Sequence, residues 1–178
     1  LASVYNLREM LSKKLSRFVH QDEGVTAIEF GLLAVPFFGL IVAILETGLI
    51  LLASQVFDSA VDDAARAIRT GEAAEFEESD FRDRICDHTF GLFTCDSIKL
   101  RVRPIASFAA ADTTDPVDEN GDWDLSEQFS AGRGREVILV EAFYKWSTVL
   151  QFEGFSYAEY GDGSLIMTSA RVFMNEPF

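Results

Sequence analysis

Histidine, cysteine and basic residues are the scarce ones in this chain. Its 178 residues hold 2 His, 2 Cys and 4 Pro, and 15 Lys and Arg stand against 29 Asp and Glu, for a formal net charge of −14. A surface of that sign repels polyanions, which excludes a nucleic-acid partner and disfavours adsorption to anionic lipid. The shortage of histidine thins out acid–base chemistry. His20 lies in the N-terminal leader and His88 stands alone in the remainder. No G-x-S-x-G, H-E-x-x-H or phosphate-cradling glycine loop occurs. Pairs of acids do occur, but in so acidic a chain their proximity carries no weight. Neither an enzyme nor a cofactor is expected.

Charge is almost missing from one long stretch. Between Glu29 and Asp58 the chain reads FGLLAVPFFGLIVAILETGLILLASQVF, in which Glu46 is the only charged residue. About 20 apolar residues cross the hydrocarbon core of a bilayer. A buried helix of a globular protein is the competing reading, but such helices keep a polar face and this one has none. A secretory signal has an apolar core of about 7–15 residues ending at a small-residue cleavage site, so this run is too long to be one. It reads as a retained anchor. Arg8, Lys13, Lys14 and Arg17 precede it, and the next base is Arg66. The positive-inside tendency then puts residues 1–24 in the cytoplasm and everything after the span outside. Leu7, Leu11, Leu15 and Phe18 recur at helical spacing, as in a short amphipathic helix along the inner leaflet.

The helical rhythm outlasts the membrane. From Val25 to Leu45 a helix already covers roughly 30 Å, which sets Glu46 near the outer interface. Beyond it Val56, Phe57, Ala60, Val61, Ala64 and Ile68 keep the i, i+3/i+4 spacing, and Asp58, Asp62, Asp63 and Arg66 fill the other face. Arg66 and Arg69 suit a last turn, and Gly71 suits a left-handed stop. A single helix from about Val25 to Thr70 is expected, kinked or locally unwound at Pro36. Its upper half needs something to lie on, and the rest of the chain is the candidate. Ser79 can cap a short helix carrying Phe81 and Ile85 and ending around Gly91. The run Ile98 to Arg103 alternates strictly, as a strand with one wet, basic face does. Glu136 to Trp146 is apolar on both sides, which suits a central strand, and Leu165 to Met174 supplies a third. The expected fold is therefore α+β, a long N-terminal transmembrane helix packed on a small antiparallel sheet. The expected division is a leader over 1–24, a transmembrane half over 25–54 and an exported α+β domain over 55–178.

Cys86 and Cys95 are separated by nine positions. Outside an inner membrane an oxidising compartment favours a disulfide between them. A zinc site needs more ligands than His88 adds, and two unpaired thiols are the remaining alternative. The acidic stretch 112–127, DTTDPVDENGDWDLSE, has Asp118, Asn120, Gly121, Asp122, Asp124 and Glu127 at the spacing of a twelve-residue calcium loop. Pro116 stands at the first ligand position and cannot serve, so a solvated acidic surface loop is the stronger expectation and no metal is assigned.

The heptad Gly24-Val25-Thr26-Ala27-Ile28-Glu29-Phe30, the apolar helix with Glu46 and the continuation DSAVDDAARAIRTG resemble the TadE-like proteins of tight-adherence (Flp, type IVc) pilus machinery. The Cys86 to Cys95 segment with its IKLRVR strand, Ser107-Phe108-Ala109, VILVEAFYKW and the terminal RVFMNEPF extend the resemblance over nearly the whole chain. It implies a pseudopilin or minor pilin, a single-pass inner-membrane subunit that supports assembly or initiation of the pilus. It implies partners too, namely other pilins, pilus-assembly membrane proteins and a prepilin peptidase. Carried onto this sequence, cleavage falls between Gly24 and Val25, and Glu29 with Phe30 belongs to the assembly motif. The leader ends His20-Gln21-Asp22-Glu23, where leaders of this kind usually end in bases. Glu46 is matched in the family, with solvation at the interface and a specific contact both open.

Physical chemistry gives Glu29 a task in that setting. An acid at the centre of a bilayer costs on the order of 2.5–3.5 kcal/mol, so an intramembrane carboxylate calls for a function. A freed Val25 ammonium would lie one turn from Glu29 in its own helix, or meet Glu29 of a neighbouring subunit. In low dielectric such a pair is strongly favoured over either charge alone. A carboxylate reaching back to the inner interface is the plainer alternative. A single-pass, membrane-anchored binding domain unrelated to pili is the competing function. The state of the N-terminus discriminates the two.

Overall fold

The computed structural model describes residues 25–152, 155–158, 160 and 162–178. The leader, with Gly24 and the leucine pattern of 7–18, lies outside the described residues. Helix α1 runs from Val25 to Arg69 and continues through Pro36 with no unwound turn, against the expectation of local unwinding there. It closes where the sequence placed its stop. Gly71 has φ 84°, and a Cβ there would sit 2.7 Å from the ring carbons of Phe178, so the left-handed turn and the close approach both require glycine.

The chain divides between Leu45 and Glu46 into two compact units. In the first, residues 25–45 form the apolar stretch of α1, with Ile28, Phe30, Leu32, Leu33, Val35, Phe37, Phe38 and Leu40 all exposed. No residue of this stretch offers a polar stripe that would suit water.

In the second unit α1 becomes a core element. Ala53, Phe57, Ala60, Val61, Ala64 and Ile68 are buried with Leu100, Val102, Ile138, Val140, Ala142 and Met167, as the i, i+3/i+4 spacing predicts. Alanine at 53, 60 and 64 keeps that face flat, so helix and sheet approach closely while Phe57 and Ile68 fill the gaps. The sheet is built from β1 (Lys99–Ile105), β2 (Gln128–Phe129), β3 (Val137–Ser147) and, after a small hairpin of β4 (Gln151–Phe152) and β5 (Phe155–Ser156), β6 (Ser164–Met174). Its order is β2-β1-β3-β6. The central place of β3 is as expected, and Val137 to Phe143 are buried on both faces. The fold is α+β with a long N-terminal helix.

Three local expectations are corrected. The sheet is mixed rather than antiparallel throughout: β1 pairs antiparallel with β3 and β3 with β6, but β2 lies parallel to β1, with Arg101 opposite Gln128. A parallel pair needs a long connection, and residues 106–127 provide it. The short helix α2 spans Glu78–Asp87, and its cap is Glu77, not Ser79. Asp80 accepts a hydrogen bond from the Glu77 backbone N–H at 2.8 Å, an arrangement that Ser79, already inside the first turn, does not make. α2 also ends before Gly91, in a turn where Phe90 and Gly91 have φ 54° and 74°.

Candidate functional site

Val25 and Glu29 are both helical and exposed, and their separation of four residues puts them one turn apart on the same face of α1. Phe30 follows, 70% exposed. Among the described residues of this unit nothing covers Glu29, which is exposed. α1 is, by length and composition, the helix among the described residues that is able to cross a membrane.

Glu46 is placed quite differently. It is 7% exposed, and each of its carboxylate oxygens accepts a backbone N–H: Oε1 from Val149, and Oε2 from Leu150 at 3.0 Å. Beside it, Thr47 Oγ1 and Tyr157 Oη are hydrogen-bonded at 2.5 Å. A charged acceptor shared by two amides is a strong, directional anchor. The choice left open between solvation and contact is thus decided for contact. The partners are main-chain groups of a loop about a hundred residues away, which carry no sequence signature.

Residues 24–66 match the family model described as TadE-like protein.

The TadE-like segment begins at Gly24 and holds Val25, Glu29, Phe30 and Glu46, so the motif residues and the clasped acid lie within one matched stretch. It points to a role related to the tight-adherence pilus. No characterised protein and no solved structure matches the chain.

Beyond the TadE-like segment the structure sorts the other candidates. Cys86 and Cys95 are joined as a disulfide with a Cα–Cα distance of 5.6 Å. It ties the last turn of α2 to the approach to β1. His88, at the end of α2, has Nδ1 3.0 Å from the Arg84 carbonyl. Residues 117–123 form a tight turn, with a bridge between Val117 and Trp123 and Gly121 at φ 85°. The Asp118 carboxylate is spent on that turn, accepting the Asn120 and Asp122 backbone N–H groups at 2.9 Å each. Those hydrogen bonds hold Asp118 below the usual carboxylate range, the one from Asp122 first. Glu127 turns away to Lys99 at 2.8 Å and Arg82 at 3.1 Å. Burial alone would raise its pKa, and the two bases outweigh it and bring it down. Among the described residues no three such side chains converge to hold a metal. Asp122 and Asp124 stay exposed on the turn.

The basic face of β1 is half-buried rather than fully wet, and this corrects the sequence reading. Arg101 gives Nε to Glu141 Oε2 at 2.7 Å and Nη2 to Oε1 at 2.8 Å, directly across the β1–β3 ladder. Glu141 is fully buried. Arg101 also donates to Thr114, Arg103 to the Asp112 carbonyl, and Lys145 to the Gly121 carbonyl while it lies 5.3 Å over the Trp123 ring. The acidic segment 112–127 is therefore a strap held on the sheet by its bases, rather than a loop free in solvent.

Proposed function

We propose that this protein is a non-enzymatic pseudopilin or minor pilin that supports assembly or initiation of a tight-adherence pilus. Residues 25 to about 54 anchor it in the inner membrane, the leader is cytoplasmic and the α+β domain is periplasmic. The observation that carries the reading is the TadE-like match starting at Gly24, on a helix whose first twenty residues expose apolar side chains on all sides around the lone Glu29. A disulfide-bonded domain after the span agrees with an oxidising compartment. A prepilin peptidase cuts after Gly24, and the new Val25 ammonium meets Glu29 of a neighbouring subunit, which selects the register of assembly. The partners are other pilins and pilus-assembly membrane proteins. The test is the mass of the mature N-terminus in cells with and without a prepilin peptidase. A chain beginning at Val25 only when the peptidase is present supports the proposal. A leader retained in both cells would favour the anchored binding domain instead.

A further inference from the structure

The apolar surface of α1 does not stop at Glu46. Leu49, Leu51 and Leu52 are 45%, 62% and 56% exposed, so helix residues beyond the clasped acid still present hydrocarbon outward. From Val25 to Leu45 the rise amounts to about 30 Å, the thickness of the hydrocarbon core. The next two turns of α1, Glu46 to Leu52, therefore start at the outer interface and cross its headgroup layer. At that level the helix holds a second segment. Glu46 takes the Val149 and Leu150 amides, and Thr47 pairs with the Tyr157 hydroxyl. Leu150 is buried, but the Val149 side chain is 79% exposed, an apolar group directed away from the protein although its backbone is pinned. The residues Ser147-Thr148-Val149-Leu150-Gln151-Phe152 carry no charge at all in a chain of net charge −14. The acidic repulsion that keeps much of the domain off a phosphate surface is absent from this segment.

We propose that the 147–152 loop, clasped by Glu46, is a second membrane contact: it seats in the outer interface of a zwitterionic phospholipid leaflet beside its own helix. This rests on the membrane-anchor reading above. An apolar side chain and a tyrosine at headgroup depth are the composition that the interface favours. Helix and loop are then two separate attachments to the leaflet. Glu46 is the positioning residue. Its carboxylate satisfies two amides that would otherwise have to leave water unpaired.

The test uses the full chain in phosphatidylcholine nanodiscs, with or without bromine on the acyl chains. A polarity-sensitive fluorophore is attached in turn through Val149→Cys, Leu33→Cys or Met174→Cys; the native cysteines are paired and do not react. Met174 ends β6 some ten residues from the Ser147–Ser164 end of the sheet, roughly 33 Å away along the strand. Brominated lipid is expected to quench Val149 and Leu33 at least about twofold and to leave Met174 nearly unchanged. Glu46→Gln should bring Val149 down towards Met174 while Leu33 stays quenched, and Tyr157→Phe should do so more weakly. A Val149 label as unquenched as Met174, with Leu33 quenched, overturns the loop contact and spares the anchor. Val149 labels that quench one another as copies per disc increase, without bromine quenching, would show a second copy in the lipid's place and also overturn it. An unquenched Leu33 overturns the anchor itself.

Discussion

Arg101 and Glu141 set the most demanding electrostatic problem in the described residues. Glu141 has no solvent and depends on one guanidinium, which is itself stacked 5.6 Å over Phe143 and tied to Thr114. The hydrogen bond to Glu141 holds Arg101 above its ordinary pKa, so the base stays charged. Removing one partner of such a pair leaves a buried charge uncompensated, at a cost of about 3–5 kcal/mol. Arg101→Ala is expected to lose about that much in denaturant unfolding of the detergent-solubilised chain, whereas Arg101→Leu with Glu141→Leu should recover most of it. Equal losses in the single and the double variant would mean that the cost is packing, not charge. A hint of this pair lies in β3, where the alternation of β1 alone offers none. Glu141 is the single charge inside VILVEAFY, and a carboxylate in a strand buried on both faces needs a base. Which base was not legible, because the register of β1 on β3 is fixed by pairing across forty residues.

At the scale of elements, helix and sheet are joined by more than their apolar faces. Arg171 of β6 reaches Asp58 at 2.7 Å and Asp62 at 2.8 Å, two acids one turn apart on α1, and Ser169 donates to Asp58 at 2.7 Å. The hydrogen bond from Arg171 holds Asp58 below 3.8 against a smaller opposing effect of burial. A depressed acid stabilises the fold at pH values above its unfolded pKa, and that contribution is lost as the pH falls through the lower folded value. Asp58 is half exposed, so the amount is modest, within about 1 kcal/mol. Asp58→Asn should therefore be slightly less stable than the parent at pH 7, with the gap closing as the pH falls below the unfolded carboxylate value. A gap that widens in acid would reverse the sign assigned here. The disulfide is the other element-scale device. It closes a loop of nine residues' separation between α2 and β1. Cys86→Ser with Cys95→Ser should lose about 2–3 kcal/mol in denaturant unfolding, as a short closed loop predicts. These elements were readable because each has a local signal: the 3.6 periodicity of α1, the alternation of β1, the glycine at 71. The parallel strand β2 has two residues and no such signal, and the strap over the sheet depends on bases at 99, 101, 103 and 145 that periodicity places only as outward. The acids of α1 read as solvent-facing for the same reason, although two of them border β6.

At the scale of the whole molecule the question is what a lone carboxylate does on a shaft with no other charge until Glu46. Glu46 answers to the protein's own backbone, so it needs no outside partner. Glu29 has no such answer among the described residues of its unit, where its neighbours Ile28 and Phe30 are exposed and apolar. In the proposed membrane setting this difference separates the two acids by function. Glu46→Ala should disturb the domain, since two amides lose their acceptor, whereas Glu29→Val should leave its unfolding unchanged. Glu29→Val should also stay in the membrane fraction after alkaline washing, because it removes a charge that opposes insertion. What it should lose is pilus number, counted on cells in which this variant replaces the parent. Glu29→Asp shortens the side chain by a methylene but keeps the charge, and should restore part of that number. Full piliation with Glu29→Val would leave the acid without the pairing role. Loss from the membrane fraction would instead place its effect in insertion, before any subunit is met. A pairing role for Glu29 requires membrane residence to be retained while piliation fails.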